Sequence, residues 1–224
     1  MARKTKQEAQ ATREKILDAA EVVFHDKGVA HASLEEIAAH AQVTRGAIYW
    51  HFKDKAELFD AMMQRVAMPV EGMLECGACG EQQRPLDVLR RATVDVLLRT
   101  ARDARIRRVM DIAYHKCEYV GDAACVRDRH IASQQECLRT IEAAFRACVR
   151  AGELPASVKP REAAIGTLSL VSGLIANWVL APSTFSLERH AQSLVDTYFR
   201  GLGASLTALP REEAPRRPRL VSRR

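Results

Sequence analysis

The sequence predicts an all-α protein, and its composition and its apolar patterning both support this fold class. Alanine, leucine, arginine and glutamate, which favour helix, dominate the 224 residues, whereas aromatic residues make up only 5%. Apolar residues recur at helical spacing in successive segments, and capping residues precede several of these segments. A chain of this length can bury a sizeable core in one large domain or two small ones.

The first helix is predicted from Thr12 to the residue before Gly28, because apolar residues occupy one face and glycine commonly ends a helix. Ser33 and Glu36 are spaced as a capping box, which predicts the start of a second helix. After a break at 42–43, Thr44 is expected to cap a short third helix.

A fourth helix is predicted to open with a second acidic box, formed by Asp54 and Glu57, and to kink or end at Pro69. A polar, glycine-bearing loop follows at 76–84. Beyond it, proline at first helical positions and glycine or proline at helix ends predict five longer helices. Their expected ranges are 85–102, 105–119, 124–151, 160–180 and 187–206.

Two short segments, 33–41 and 44–51, are joined by a tight turn and braced by the first helix, which is the helix-turn-helix arrangement. Ile48 and Phe52, four residues apart, are expected to pack inward. The basic and aromatic side chains between them would then lie outside, where they suit a nucleic acid better than water. A stable helical hairpin with an amphipathic surface is the alternative interpretation.

The third helix carries the residues that would contact DNA. Arg45 is expected to bind guanine through two hydrogen bonds, and the small residues Gly46 and Ala47 allow close approach of the backbone. Phosphates would be bound by side chains after this turn and by the amides that open the fourth helix. These groups are Tyr49, His51, Lys53 and the backbone near Lys55.

Residues 12–62, TREKILDAAEVVFHDKGVAHASLEEIAAHAQVTRGAIYWHFKDKAELFDAM, closely resemble the DNA-binding domain of TetR-family repressors, without a gap. The resemblance implies an all-α homodimer that binds palindromic double-stranded operator DNA. It places the DNA contacts on Ser33, Thr44, Arg45, Gly46, Ala47, Tyr49, Trp50, His51, Lys53 and Lys55. At one turn position the family usually has glycine and this chain has Gln42, which costs roughly 1 kcal/mol if φ is positive.

The start MARKTK and the run DARIRR, followed by HKCEY, are also similar to AcrR-like repressors of multidrug efflux pumps. That similarity implies a repressor released from its operator by an apolar small-molecule inducer. We therefore expect a helix-turn-helix DNA-binding domain at 10–70, with the motif at 33–52. A helical ligand-binding and dimerisation domain would follow at 71–209, and a disordered basic tail at 210–224.

The last two predicted helices carry wide apolar stripes, and the resemblance implies that they pair with their copies in a homodimer. Packing within one chain is the alternative. The interface residues would be Gly166, Leu170, Gly173, Leu174, Asn177, Leu187, Ala191, Leu194, Val195, Tyr198, Phe199 and Leu202.

The middle helices mix apolar residues with a few polar groups, as pockets for apolar ligands do. The resemblance implies that the ligand pocket lies among them, and ordinary core packing is the alternative. The residues are Met110, Tyr114, His130, Gln134, Cys137, Ile141, Leu168, Val171 and Ile175.

The basic residues exceed the acidic ones by six, and they cluster near both ends and at the third helix. The start lacks an apolar signal segment, and no apolar run approaches the roughly 20 residues that cross a bilayer, so we expect a cytoplasmic protein without a membrane partner. The sequence shows no enzyme motif, metal-binding pattern or cofactor fingerprint. The remaining alternative is a thiol-based redox sensor using Cys76 and Cys79, which have C-x-x-C spacing.

Overall fold

A computed structural model describes residues 2–66, 84–118 and 124–206, and every regular element in these ranges is an α-helix. The predicted loop at 76–84, the Cys76 and Cys79 pair, Pro69 and the tail at 210–224 lie wholly or largely outside them. The helices are α1 (Ala2–Lys27), α2 (Leu34–Ala41), α3 (Arg45–His51), α4 (Lys55–Val66), α5 (Pro85–Arg102), α6 (Ala104–His115), α7 (Ala124–Arg150), α8 (Pro160–Leu180) and α9 (Leu187–Gly201).

Most helix boundaries agree with the sequence prediction, and three do not. Helix α1 begins at Ala2 rather than Thr12. The sequence did not indicate this earlier start, because the first turns are polar and have no apolar periodicity. Helix α6 ends at His115 rather than near 119. Helix α9 ends at Gly201 rather than 206, since Gly203 adopts a positive φ of 85° and stops the helix.

The caps in the N-terminal half are formed as the sequence indicates. Ser33 and Glu36 make both hydrogen bonds of the capping box, and Thr44 accepts from the amide of Ala47. At α4, Asp54 accepts from the Glu57 amide at 2.7 Å as predicted, but the Glu57 carboxylate accepts from the amide of Lys53 rather than from the cap residue. The second capping box therefore differs from the standard one, because its return hydrogen bond comes from the residue before the cap.

The buried residues form two hydrophobic cores that do not follow the predicted domain boundary. The first core contains the apolar faces of α1 to α4 together with Ile106, Val109 and Ile112 of α6. The second core joins α5, α7, α8 and α9. The predicted unit at 10–70 is thus completed by a helix that comes about forty residues later in the chain.

The apolar stripe of α9 belongs to the second core, which contradicts part of the predicted dimer interface. Leu187, Ala191, Val195 and Phe199 are fully buried within one protomer and have no surface to offer a partner. Phe199 stacks on Phe145 of α7, with 5.8 Å between the ring centroids. The prediction was wrong for these four residues because the same stripe that suits a partner helix also suits α5 and α7 of the same chain.

Gly166 of α8 is also used within the protomer. A Cβ atom there would lie 2.2 Å from the hydroxyl oxygen of Tyr198, and this hydroxyl donates to the carbonyl of Ala163 at 2.8 Å. The lack of a side chain at Gly166 therefore leaves room for Tyr198 of the same protomer. Among the described residues, no atom lies within 4 Å of such a Cβ at Gly173, so this position is open in the described part of the protomer.

Helix α8 is the one helix of the described ranges that is long and apolar enough to cross a membrane by length and composition. It has 21 residues, and its most apolar 18-residue window has a mean hydropathy of 1.7 and is 28% buried in the protomer. No apolar run that approaches the roughly 20 residues of a membrane span was expected from the sequence. In α8 the apolar residues are interrupted by glycines and serines. A helix that is buried in an interface has the same composition.

Candidate nucleic-acid interface

Helix α3 has one buried side and one exposed side, as the sequence predicted. Ile48 is 0% exposed and Phe52 is 2% exposed, and both lie in the first core. Tyr49 is 48% exposed and Trp50 is 72% exposed. Leaving two large aromatic side chains in water forgoes the stabilisation that burial would supply, so this face is suited to a partner.

Arg45 lies on the exposed side of α3 between two polar groups. It donates to the Glu35 carboxylate of α2 and, at 3.1 Å, to the hydroxyl oxygen of Tyr49. The hydrogen bond with Tyr49 and the negative charge of Glu35 raise the pKa of Arg45. The guanidinium is therefore charged, ordered and placed at the surface, with a carboxylate that a guanine base would have to replace.

The N-terminal turn of α3 is open to close approach. Thr44 is exposed and caps the helix, Gly46 is exposed, and Ala47 is half-buried. Within the part of the chain that the structure describes, a Cβ atom on Gly46 would meet only the hydroxyl oxygen of Thr44, at an ordinary 3.8 Å. The fold does not require glycine at this position, so close contact with an external partner is a better explanation for it.

His51 ends α3 and packs against Trp50, with 4.5 Å between the ring centroids and an edge-on geometry of 89°. Burial and the nearby charge of Arg13 lower the pKa of His51. At neutral pH the ring is therefore neutral, and a phosphate bound there would meet a hydrogen-bonding group rather than a cation. The guanidinium carbon of Arg13 of α1 lies 5.1 Å from the centroid of the Phe52 ring, so α3 has a neighbouring cation that was not among the predicted site residues.

The remaining residues predicted to contact DNA differ in their exposure and in their hydrogen bonds within the protein. Lys53 is exposed. The ammonium of Lys55 donates to the backbone carbonyls of Ala30 and Ala32 at 3.1 and 3.0 Å, which fixes the loop before α2. Ser33 is half-buried in its capping box. Lys55 thus has a structural role that its sequence position did not reveal, because the loop carbonyls are 23 and 25 residues away.

The turn between α2 and α3 contains the one non-glycine residue of the described ranges with positive φ. Gln42 has φ 55° and ψ 43°, in the left-handed region. The following amide, that of Val43, donates to the carbonyl of Ala38 at 3.0 Å. Strain was expected at Gln42 only if its φ is positive, and the positive φ observed here meets that condition.

The nine residues predicted to line a ligand pocket lie on α6, α7 and α8. Ile141 and Ile175 are buried in the second core, Gln134 is exposed, and the rest are half-buried. Met110 packs against both cores and lines a groove between α4, α6 and α7, beside Met63 and Arg129. Burial lowers the pKa of His130, so this residue is neutral near pH 7.

Redox or metal chemistry has little basis in the described ranges. Burial, followed by the charge of Glu153, raises the pKa of the Cys148 thiol to about 12, so that it is not a reactive thiolate. No group of three or more His, Cys, Asp or Glu residues there could hold a metal ion.

Two protein-family models match this chain, one in each half. The family model of bacterial regulatory proteins of the tetR family matches residues 16–62. The model of the C-terminal region of MAATS-type transcriptional repressors matches residues 84–203. The HTH-type transcriptional regulator AcrR of Shigella flexneri is 44% identical over 203 residues, which cover 87% of this chain and 91% of that protein.

Two solved structures are similar over most of their length. One is NalD, the secondary repressor of the MexAB-OprM multidrug efflux pump in Pseudomonas aeruginosa, with a TM-score of 0.78 and 33% identity. The alignment covers 88% of this chain and 98% of NalD. The other is a complex of SmeT with triclosan, with a TM-score of 0.76, 31% identity and coverage of 90% and 100%. Together with the exposed face of α3, these matches show that the chain belongs to the TetR family of bacterial transcriptional regulators.

Proposed function

We propose that the protein is a repressor of a multidrug efflux operon and of its own gene, and that an apolar small molecule releases it from operator DNA. The observation that carries this proposal is the exposed face of α3, where Arg45, Tyr49 and Trp50 surround an open N-terminal turn. The relatives named for efflux regulation support the choice of target.

The DNA-bound form is a homodimer in the cytoplasm. A palindromic operator presents two equivalent half-sites, which two copies related by a two-fold axis match. The apolar face of α8 that stays uncovered in one protomer supports an interface there. It includes Leu170, the open Gly173, half-buried Leu174 and exposed Asn177, and from α9 it can include the half-buried Leu194 and Leu202.

Inducer release requires only that the ligand binds one conformer of the dimer better than the other. The ligand would bind between α6, α7 and α8, near Met110, which packs against both cores and so links the ligand-binding half to the DNA-binding half. A ligand there favours a conformer whose two recognition helices no longer match successive major grooves, about 34–36 Å apart.

The test is footprinting on the DNA upstream of the protein's own gene and of neighbouring pump genes. We expect one protected palindrome overlapping a promoter, and a weaker protein–DNA complex in gel shifts as triclosan or another apolar antimicrobial is added. Absence of any sequence-specific protection would refute the repressor function. Protection that no apolar compound relieves would refute only the inducible release.

A further inference from the structure

One face of α1 carries three acidic residues, Glu14, Asp18 and Glu21, at helical spacing. Two arginines from different helices converge on this face. Arg65 of α4 donates to Glu21 at 3.1 Å and to Asp18 at 2.7 Å. Arg105, in the first turn of α6, donates to Glu21 at 3.1 Å and also to Asp18. The cluster therefore joins three helices that are far apart in the sequence.

Burial identifies the central member of this cluster. The Glu21 side chain is 2% exposed, whereas the Arg65 and Arg105 side chains are 16% and 44% exposed. A carboxylate removed from water to this extent needs charged or hydrogen-bonding partners, and the two guanidinium groups supply them. Arg65 and Arg105 cannot separate without leaving Glu21 short of one partner.

Two further links hold α6 along α1. His25 Nε2 lies 3.4 Å from the Asp111 carboxylate, and the amide of Val29 donates to the carbonyl of Lys116 at 2.8 Å. From the Glu21 cluster through His25 to Val29, the partners on the second segment also rise in number, from Arg105 through Asp111 to Lys116. Helix α6 therefore runs parallel to α1. Since α6 also shares the first core, it is fixed to the DNA-binding half along its whole length.

Helix α6 also contacts the ligand-binding half. It packs against α8, and only Asp103 separates it from α5. If the dimer forms through α8, the orientation of each DNA-binding half relative to the two-fold axis is transmitted through α6. The link at Arg105 is the one nearest the α5–α6 junction.

We infer that Glu21 is a positioning residue which, by holding Arg65 and Arg105 together, sets the operator half-site spacing that the dimer accepts. The inference rests on the proposed function as a dimeric operator-binding protein. A DNA-binding half that is loosely attached could reach half-sites at several separations, but it would lose affinity for the native one because it must be ordered on binding.

The test compares Glu21→Gln and Arg105→Ala with Arg102→Ala as a matched control. Arg102 makes a similarly exposed ion pair, at 2.9 Å, with Glu188 of the ligand-binding half. Fluorescence anisotropy measures binding to the footprinted operator and to versions with one or two base pairs inserted or removed between the half-sites. Circular dichroism measures the thermal unfolding of each variant.

In the wild type we expect strong preference for the native spacing. In Glu21→Gln and Arg105→Ala this preference should fall by roughly tenfold, a usual size for coupling between sites, while Arg102→Ala keeps it. A purely structural role would lower affinity for every spacing alike and leave the ratio unchanged, which would overturn the inference.

The outcomes separate this inference from the proposed function. A wild-type protein that binds no specific DNA defeats the repressor proposal, whereas a wild-type preference that both variants retain defeats only the role of Glu21. If Glu21→Gln does not fold, Arg105→Ala decides the question, because its partly exposed side chain can be removed without opening the core.

Discussion

Arg45 and Tyr49 lie one turn apart on α3, and the guanidinium donates to the tyrosine hydroxyl oxygen at 3.1 Å. The centre of the guanidinium is 5.4 Å from the centroid of the tyrosine ring. This contact holds Arg45 along the exposed face of the helix and reduces the freedom that it would lose on binding a base. If Arg45 reads a base as proposed, its side chain is already ordered before DNA binds.

The first prediction concerns base readout by Arg45. Arg45→Ala should reduce discrimination at one operator position by about tenfold, the amount that a bidentate contact with guanine typically supplies. Lys53→Ala is the control, because an exposed lysine that contacts a phosphate should weaken binding to all sequences alike. Competition binding with operators changed at single positions measures both. Equal losses across all sequences for Arg45→Ala would contradict the assignment.

Gly46 provides a prediction in which stability and DNA affinity change in opposite directions. Gly46→Ala should preserve or raise stability by up to about 1 kcal/mol, because alanine favours helix and the added Cβ meets no close neighbour. Operator affinity should fall, since the methyl group lies where the backbone approaches the bases. Urea unfolding and anisotropy measure the two effects. Unchanged affinity would show that DNA does not approach this turn closely.

The turn at Gln42 predicts a stabilising substitution. Gln42→Gly removes the left-handed strain of an L residue at φ 55°, and it should raise the free energy of unfolding by up to about 1 kcal/mol. The gain is partly offset because glycine also increases the entropy of the unfolded chain. Gln42→Val, with a β-branched side chain at the same φ, should destabilise. Urea titration of the wild type and the two variants measures their free energies of unfolding. A Gln42→Gly variant that is less stable than the wild type would contradict this prediction.

The capping box predicts how α2 responds to acid. The hydrogen bond from Lys27, followed by the Ser33 amide, lowers the pKa of Glu36 from 4.5 to about 2. Since this folded-state pKa lies below the unfolded value, the stabilisation is complete above about pH 4.5 and disappears as the pH falls through about 2. Carboxyl NMR titration measures it, and Lys27→Met should shift the midpoint towards 4.5. A wild-type midpoint near the ordinary value would disprove the lowered pKa.

The buried ion pair between α5 and α9 predicts the largest loss of stability. Arg90 donates to the Asp196 carboxylate at 2.5 and 2.6 Å, and both side chains are at least nine-tenths buried. Asp196→Ala leaves the arginine without this partner and should cost about 3–5 kcal/mol, whereas the double variant Arg90→Met with Asp196→Leu should cost much less. Urea unfolding at one fixed protein concentration compares them, because the proposed dimerisation would make stability depend on concentration. Similar losses in both variants would contradict this explanation.

The sequence determined the local features of the DNA-binding half because their causes lie within a few residues. The box of Ser33 and Glu36, the cap at Thr44 and the inward pair Ile48 and Phe52 all depend on neighbours three or four positions away. Spacing on a helix is enough to predict such contacts. The resemblance in residues 12–62 then identified the family for the same reason, since the motif is local and continuous.

Tertiary structure alone decided which apolar stripe meets which neighbour and where distant charges pair. The stripe of α9 is equally suited to a partner copy and to the protomer's own α5 and α7, and only the assembled core shows that Phe199 is already buried. The same holds for α6, which joins the first core, for Lys55 on the loop carbonyls and for Glu21 between two arginines. Periodicity specifies that a face is apolar or charged, but it carries no information about the partner that covers it.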